Sequence, residues 1–210
     1  MSDLRERFVA LTRRLGATGD SSPLADAILS AWMEPARRYH GIAHLRDCLA
    51  RLEESSDPPV ERDVVEAALW FHDAIYDPRA ADNEERSADW ARRALDALGI
   101  PGAAAGEVAR LVALTGHDRP PDDPAGRLIC DIDLSILGRP PAEFDEYDRQ
   151  IRAEYAWVPI SAYREGRRRV LTGFLRRRPL YLTEQFHRRY ETAARTNLER
   201  ALAALGGPAA

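Results

Sequence analysis

Between its glycines and prolines the chain repeats apolar residues at spacings of three and four, and no stretch alternates apolar with polar as a half-buried strand does. That periodicity leaves an all-α fold, a compact helical bundle, as the expectation. Asp3 is expected to cap a first helix carrying Leu4, Phe8, Leu11 and Leu15 and ended by Gly16. Ser22 and Pro23 open a second, with Leu24, Ile28 and Trp32, that stops or kinks at Pro35. The spacing then predicts helices over about 42–54, 61–76, 82–99, 103–115, 123–137, 142–156 and 161–177, with Thr183 capping a long last one. Short connections and the absence of repeats point to one domain over 1–210.

Composition excludes whole classes of chemistry. All 30 residues of the Lys+Arg total are arginine. A P-loop needs its lysine and a Schiff-base enzyme needs an amine, so neither is open to this chain. Residues 151–210 hold 12 Arg against 5 Glu, an excess of +7 within a net charge of −4, so residues 1–150 carry −11. A solvated basic face and an anion site both explain such a segment. The arginine clusters at 167–169 and 176–178 have no interleaved aromatic track, so a nucleic-acid polymer is not the expected partner. Cys48 and Cys130 lack a CxxC neighbour and read as reduced core residues. No apolar run approaches the roughly 20 residues of a membrane span, and no leader is evident, so the expected setting is cytoplasmic with no membrane partner.

Five histidines stand at 40, 44, 72, 117 and 187. His40 and His44 are one helical turn apart, but Gly41, Ile42 and Ala43 between them offer no glutamate base for zinc-protease chemistry. For such a pair taken alone, packed or capping histidines are commoner than a metal site. His72 and Asp73 follow the apolar run Ala67 to Phe71, where a buried carboxylate is costly unless a cation or donor meets it. Asp131 and Asp133 again interrupt an apolar run, and a cap or an arginine pair is the plain alternative there. His187, among Phe186, Arg188 and Arg189, reads as a surface residue.

His44, the His72 Asp73 pair and Asp133, in that order on separate helices, resemble the H...HD...D signature of the HD-domain superfamily of metal-dependent phosphohydrolases. Arg38 Tyr39 His40 Gly41, Trp70 to Asp77, Asn83 Glu84 Glu85 with Ser87 Ala88, and Asp133 to Gly138 are similar to a stand-alone bacterial subfamily of predicted HD phosphohydrolases. Phe174 Leu175 Arg176 and Leu180 to Thr183 extend the likeness to about residues 35–200. The resemblance implies a metal-site core over about 35–140, with C-terminal helices over about 141–205 packed on it. It implies His44, His72, Asp73 and Asp133 as ligands of one divalent metal, Mn, Fe, Co, Ni, Zn or Mg, with Asp131 behind them or capping a helix. His40 matches a histidine that protonates the leaving oxygen in distantly related cyclic-nucleotide phosphodiesterases, although Gly41 replaces their asparagine.

Two imidazoles and two carboxylates form a mixed N/O set that leaves positions open for water, and a bound ion both activates that water and draws charge from a phosphoryl oxygen. Glu84 is a candidate general base; a helix-dipole acid beside Asp82 is the equal alternative. His117 is either a second-metal ligand or a pocket residue contacting phosphate, and Asn83, where two-metal relatives carry histidine, favours one metal. With no lysine, phosphate falls to arginine, and Arg38 is the nearest candidate. The expected activity is hydrolysis of a small phosphorylated metabolite, a nucleotide or other phosphomonoester. Phosphodiester cleavage, diiron oxidation and non-catalytic nucleotide binding are its alternatives.

Overall fold

The computed structural model describes residues 2–55 and 61–206, and among them every regular element is helical. The order is α1 Ser2–Arg14, α2 Ser22–Trp32, α3 Ile42–Glu54, α4 Arg62–Phe71, α5 Asn83–Ala97, α6 Gly102–Leu114, α7 Pro124–Asp133, a 3-10 helix Leu134–Gly138, α8 Pro141–Glu154, α9 Ile160–Arg176 and α10 Glu184–Ala204. None of these helices is long and apolar enough to cross a membrane. Most of the expected Ser55 to Pro59 break lies outside the described residues. Two compact units, Met1–Cys130 and Asp131–Ala210, divide the chain, with the boundary inside α7.

In the first unit α4 is buried continuously from Val64 to Phe71, as a helix apolar on all sides must be. It packs against α1, α3, α5 and α6. Phe8 meets Trp70 edge-on at 5.2 Å, and Phe71 meets Trp90 at 5.9 Å. The single carboxylate within this run, Glu66, is met from α1 by Arg7 at 2.6 Å and Arg14 at 3.4 Å, which offsets the cost of burying it. Gly99, with φ 76°, ends α5 in the left-handed conformation that glycine adopts without strain.

Two helix ends differ from the sequence expectation, for a shared reason. The fourth helix was expected to reach Tyr76, but α4 ends at Phe71 and leaves His72 and Asp73 in the following turn. The N–H of Ile75 is taken by Ser87 Oγ at 3.0 Å and that of Asp77 by Asn83 Oδ1 at 3.0 Å. Side chains one turn apart on α5 thus claim donors that would have continued the helix. The seventh was expected to reach Leu137, but it passes into the 3-10 helix after Asp133. There the Tyr181 hydroxyl donates to the Leu134 carbonyl at 2.9 Å and Asn197 to the Leu137 carbonyl at 2.9 Å.

In the second unit α10 packs on the 3-10 helix and on α9, and α8 packs on the 3-10 helix. Gly138 permits the first approach, since a Cβ there would come within 2.5 Å of Tyr190 Cβ. The loop before α10 is held by two carboxylates. Glu191 accepts from the N–H of Leu180 and Tyr181 at 3.1 Å, and Asp131 from those of Leu182 at 2.9 Å and Thr183 at 2.7 Å. Thr183 occupies the N-cap of α10, but its hydroxyl donates to Asp131 at 2.7 Å instead of capping the helix. Asp82 likewise sits at the N-cap of α5 without a side-chain cap bond. Burial pushes the Asp131 carboxyl up to about 6, against these hydrogen bonds that favour its charged form.

Several arginines of the basic segment are structural. Arg167 is buried and paired with Asp148 at 2.8 Å, Arg195 with Glu191 at 2.6 Å, and Arg200 with Asp145 at 2.6 Å. His187 is exposed, as its neighbours suggest.

Candidate metal centre

His44 projects from the first turn of α3, and His72 and Asp73 from the turn that follows α4. All three are buried. The His44 and His72 Nε2 atoms are 3.1 Å apart, and Asp73 Oδ2 lies 3.2 Å from His72 Nε2 and 3.7 Å from His44 Nε2. Donors about 2.1 Å from a shared centre are about 3.0 Å apart at a right angle, about 3.4 Å at the tetrahedral angle and about 3.7 Å near 125°. The three edges fall in that range, so the donor spacing suits a single ion.

The surroundings set the tautomer. His72 Nδ1 lies 2.8 Å from the Leu69 carbonyl, which can only accept, so Nδ1 carries the proton and Nε2 keeps its lone pair in the neutral ring. Trp32 packs against both imidazoles, 5.3 Å from His72 and 6.2 Å from His44. Its indole N–H donates to the Trp70 carbonyl at 2.9 Å. Tyr39 also packs on His44, with ring centres 4.7 Å apart.

Cys48, one turn along α3 from His44, joins this neighbourhood; its sulfur and nitrogens of His44 and His72 lie within 4.8 Å of one another, a buried group that can hold a metal ion. The sulfur is 3.7 Å from both His44 nitrogens, which puts it on the plane bisecting the ring. An ion about 2.1 Å out along the Nε2 lone pair stays about 3 Å or more from that plane, against about 2.3 Å for a zinc–sulfur bond. In this rotamer Cys48 faces the imidazole instead of an ion held by it. Both cysteines are buried and neither is in a disulfide, as expected from the sequence. The i, i+4 spacing of His44 and Cys48 was the one signal for this neighbour.

His40 is half-buried at the edge of the cluster, stacked on Tyr76 at 4.1 Å and 6.1 Å from the His44 ring. Arg38 is exposed, and the buried guanidinium at this turn belongs to Arg37. Glu84, in the first turn of α5, lies beside the turn of Gly116, where a Cβ would be 3.7 Å from Glu84 Cγ. His117 follows in that turn with φ 57°, the left-handed end of α6 that glycine or asparagine usually fills. Asp133 is half-buried at the last position of α7 and belongs to the second unit. Asp131 accepts from the loop before α10, at the N–H groups of Leu182 and Thr183, and caps no helix there.

No protein-family model, curated protein or solved structure matches the chain. The chemistry of the site therefore rests on its own donor set. Two imidazoles and a carboxylate suit borderline divalent ions such as Zn, Fe, Co, Ni and Mn.

Proposed function

We propose that the protein is a metal-dependent hydrolase of a small phosphorylated metabolite, a nucleotide or another phosphomonoester, in line with its resemblance to HD phosphohydrolases. The observation that carries this reading is the convergence of His44 Nε2, His72 Nε2 and Asp73 Oδ2 at 3.1 to 3.7 Å. These three side chains would hold one divalent ion, and the resemblance implies Asp133 as a fourth ligand. When bound, such an ion supplies a water of lowered pKa and electrophilic stabilisation of a phosphoryl oxygen.

The remaining roles belong to the chain itself. The Leu69 carbonyl holds the proton on His72 Nδ1 and so keeps Nε2 available as a donor to metal. His40, oriented by its stack on Tyr76, is the proton donor to the leaving oxygen in this proposal. Glu84 is its candidate base, and Arg38 and His117 its phosphate contacts. A cytoplasmic setting belongs to the same proposal, with two buried cysteines outside any disulfide suiting a reducing compartment.

Elemental analysis of the purified protein, followed by a metal-supplemented screen of phosphorylated metabolites for released phosphate, tests it. One ion per chain and turnover of at least one monoester are expected. A chain that takes up no metal and releases no phosphate with any divalent ion removes the reading. Two irons per chain would replace it with oxidative chemistry.

A further inference from the structure

Arg37 lies in the connection between α2 and α3, and its side chain is 2% exposed. Its Nη1 donates to the carbonyls of Asp73 and, at 3.2 Å, His40. Its Nη2 donates to the Ala74 carbonyl at 3.0 Å, and its Nε faces Glu34 at 3.3 Å. Three carbonyls from two separate turns therefore converge on one planar cation. Neither turn is helical, so these acceptors have no helix ladder to join, and a buried carbonyl left without a donor is costly.

The guanidinium carbon also lies 5.8 Å from the Trp32 ring centre and 5.7 Å from that of Tyr76. Trp32 packs on His72 and His44, and Tyr76 carries the stacked ring of His40. Arg37 thus stands between the two histidine groups both through backbone and through aromatic contacts.

We infer that Arg37 is a positioning residue of the metal centre, locking the turn that carries His40 to the turn that carries Asp73. This rests on the metal-site reading above. Lysine replaces it only in part, because a single ammonium keeps the charge but lacks the planar fork that spans acceptors on two turns. Glutamine lacks both the fork and the charge between the rings.

The test uses wild type, Arg37→Gln and Arg37→Lys, stripped of metal and titrated with Co2+ alone. Visible absorption reports ligand geometry, chelator competition gives affinity, and circular dichroism of the metal-free samples gives the melting temperature. Arg37→Gln is expected to bind Co2+ at least about tenfold more weakly, in the range known for outer-shell partners, with an altered absorption band. Arg37→Lys should recover part of the loss. If Arg37→Gln keeps the wild-type band and affinity and loses only melting temperature, the residue is structural and the inference fails. Should Arg37→Gln not fold, a wild-type band in Arg37→Lys overturns it equally. Wild type that takes up no Co2+ instead overturns the metal-site reading itself.

Discussion

The turn after α4 and the loop before α10 both surround buried or nearly buried carboxylates, yet they do so in opposite ways. Glu191 and Asp131 accept from four consecutive backbone N–H groups, Leu180 to Thr183, from the Thr183 hydroxyl and from the Arg195 guanidinium. Beside Asp73 lie two imidazole nitrogens, and one of those rings places its Nδ1 proton on the Leu69 carbonyl. Burial of acid groups therefore does not by itself mark a functional site. The informative difference is whether the groups facing the carboxylate bring protons or lone pairs.

The sharpest way to break this comparison is Asp73→Ala. It should abolish stoichiometric metal binding while far-UV circular dichroism stays helical, and metal analysis that still finds one ion per chain would remove Asp73 from the ligand set. His40→Ala should keep the ion and lower turnover by about 100-fold, the usual contribution of a general acid. Equal metal content with unchanged turnover would leave His40 as packing alone.

Glu191→Gln probes the other side of the comparison. Burial raises the Glu191 carboxyl, but the N–H groups of Tyr181 and Leu180 and the Arg195 guanidinium outweigh it and hold the pKa below its ordinary value. A carboxyl depressed in the folded state stabilises the fold above its unfolded pKa, and that stabilisation is lost as pH falls through the lower folded value. The variant should cost about 1–3 kcal/mol at neutral pH, as loss of a charge-assisted acceptor does, and the gap to wild type should close in acid. Urea unfolding at several pH values measures it, and a gap independent of pH would contradict the assignment. Metal content should not change.

Cys48→Ser should have the smallest effect. Co2+ affinity within about twofold of wild type, and no thiolate-to-cobalt charge-transfer band in either protein, are expected if the sulfur faces the ring; a tenfold loss is the outer-shell scale that would refute this. A strong band in wild type that vanishes in the variant would make Cys48 a ligand after a change of rotamer.

Much of the fold was written in local pattern. The third helix, expected over 42–54, is α3 to the residue, because its apolar stripe and the breaks on both sides are contiguous in sequence. The ends of α4 and α7 were not legible. The groups that stop them, Ser87 and Asn83 for one and Tyr181 and Asn197 for the other, come from elsewhere along the chain. At the candidate site, the order of His44, His72 and Asp73 singled out three side chains that the structure brings within 3.7 Å. Arg37 and Arg38 show why side-chain roles are harder: two adjacent arginines have the same local chemistry, and only the direction of the turn buries one and exposes the other.

The unbroken burial of α4 gives the apolar run before His72 a second meaning, as a ruler. Each residue added to a helix advances the chain by about 1.5 Å and turns it by about 100°, so one insertion between Val64 and Phe71 would swing His72 and Asp73 to another side of the unit. A helix with an outward face can absorb such a slip by rotating part of its surface into solvent. This one has core on every side, so the phase at which its two polar residues emerge is fixed by the packing of the residues before them.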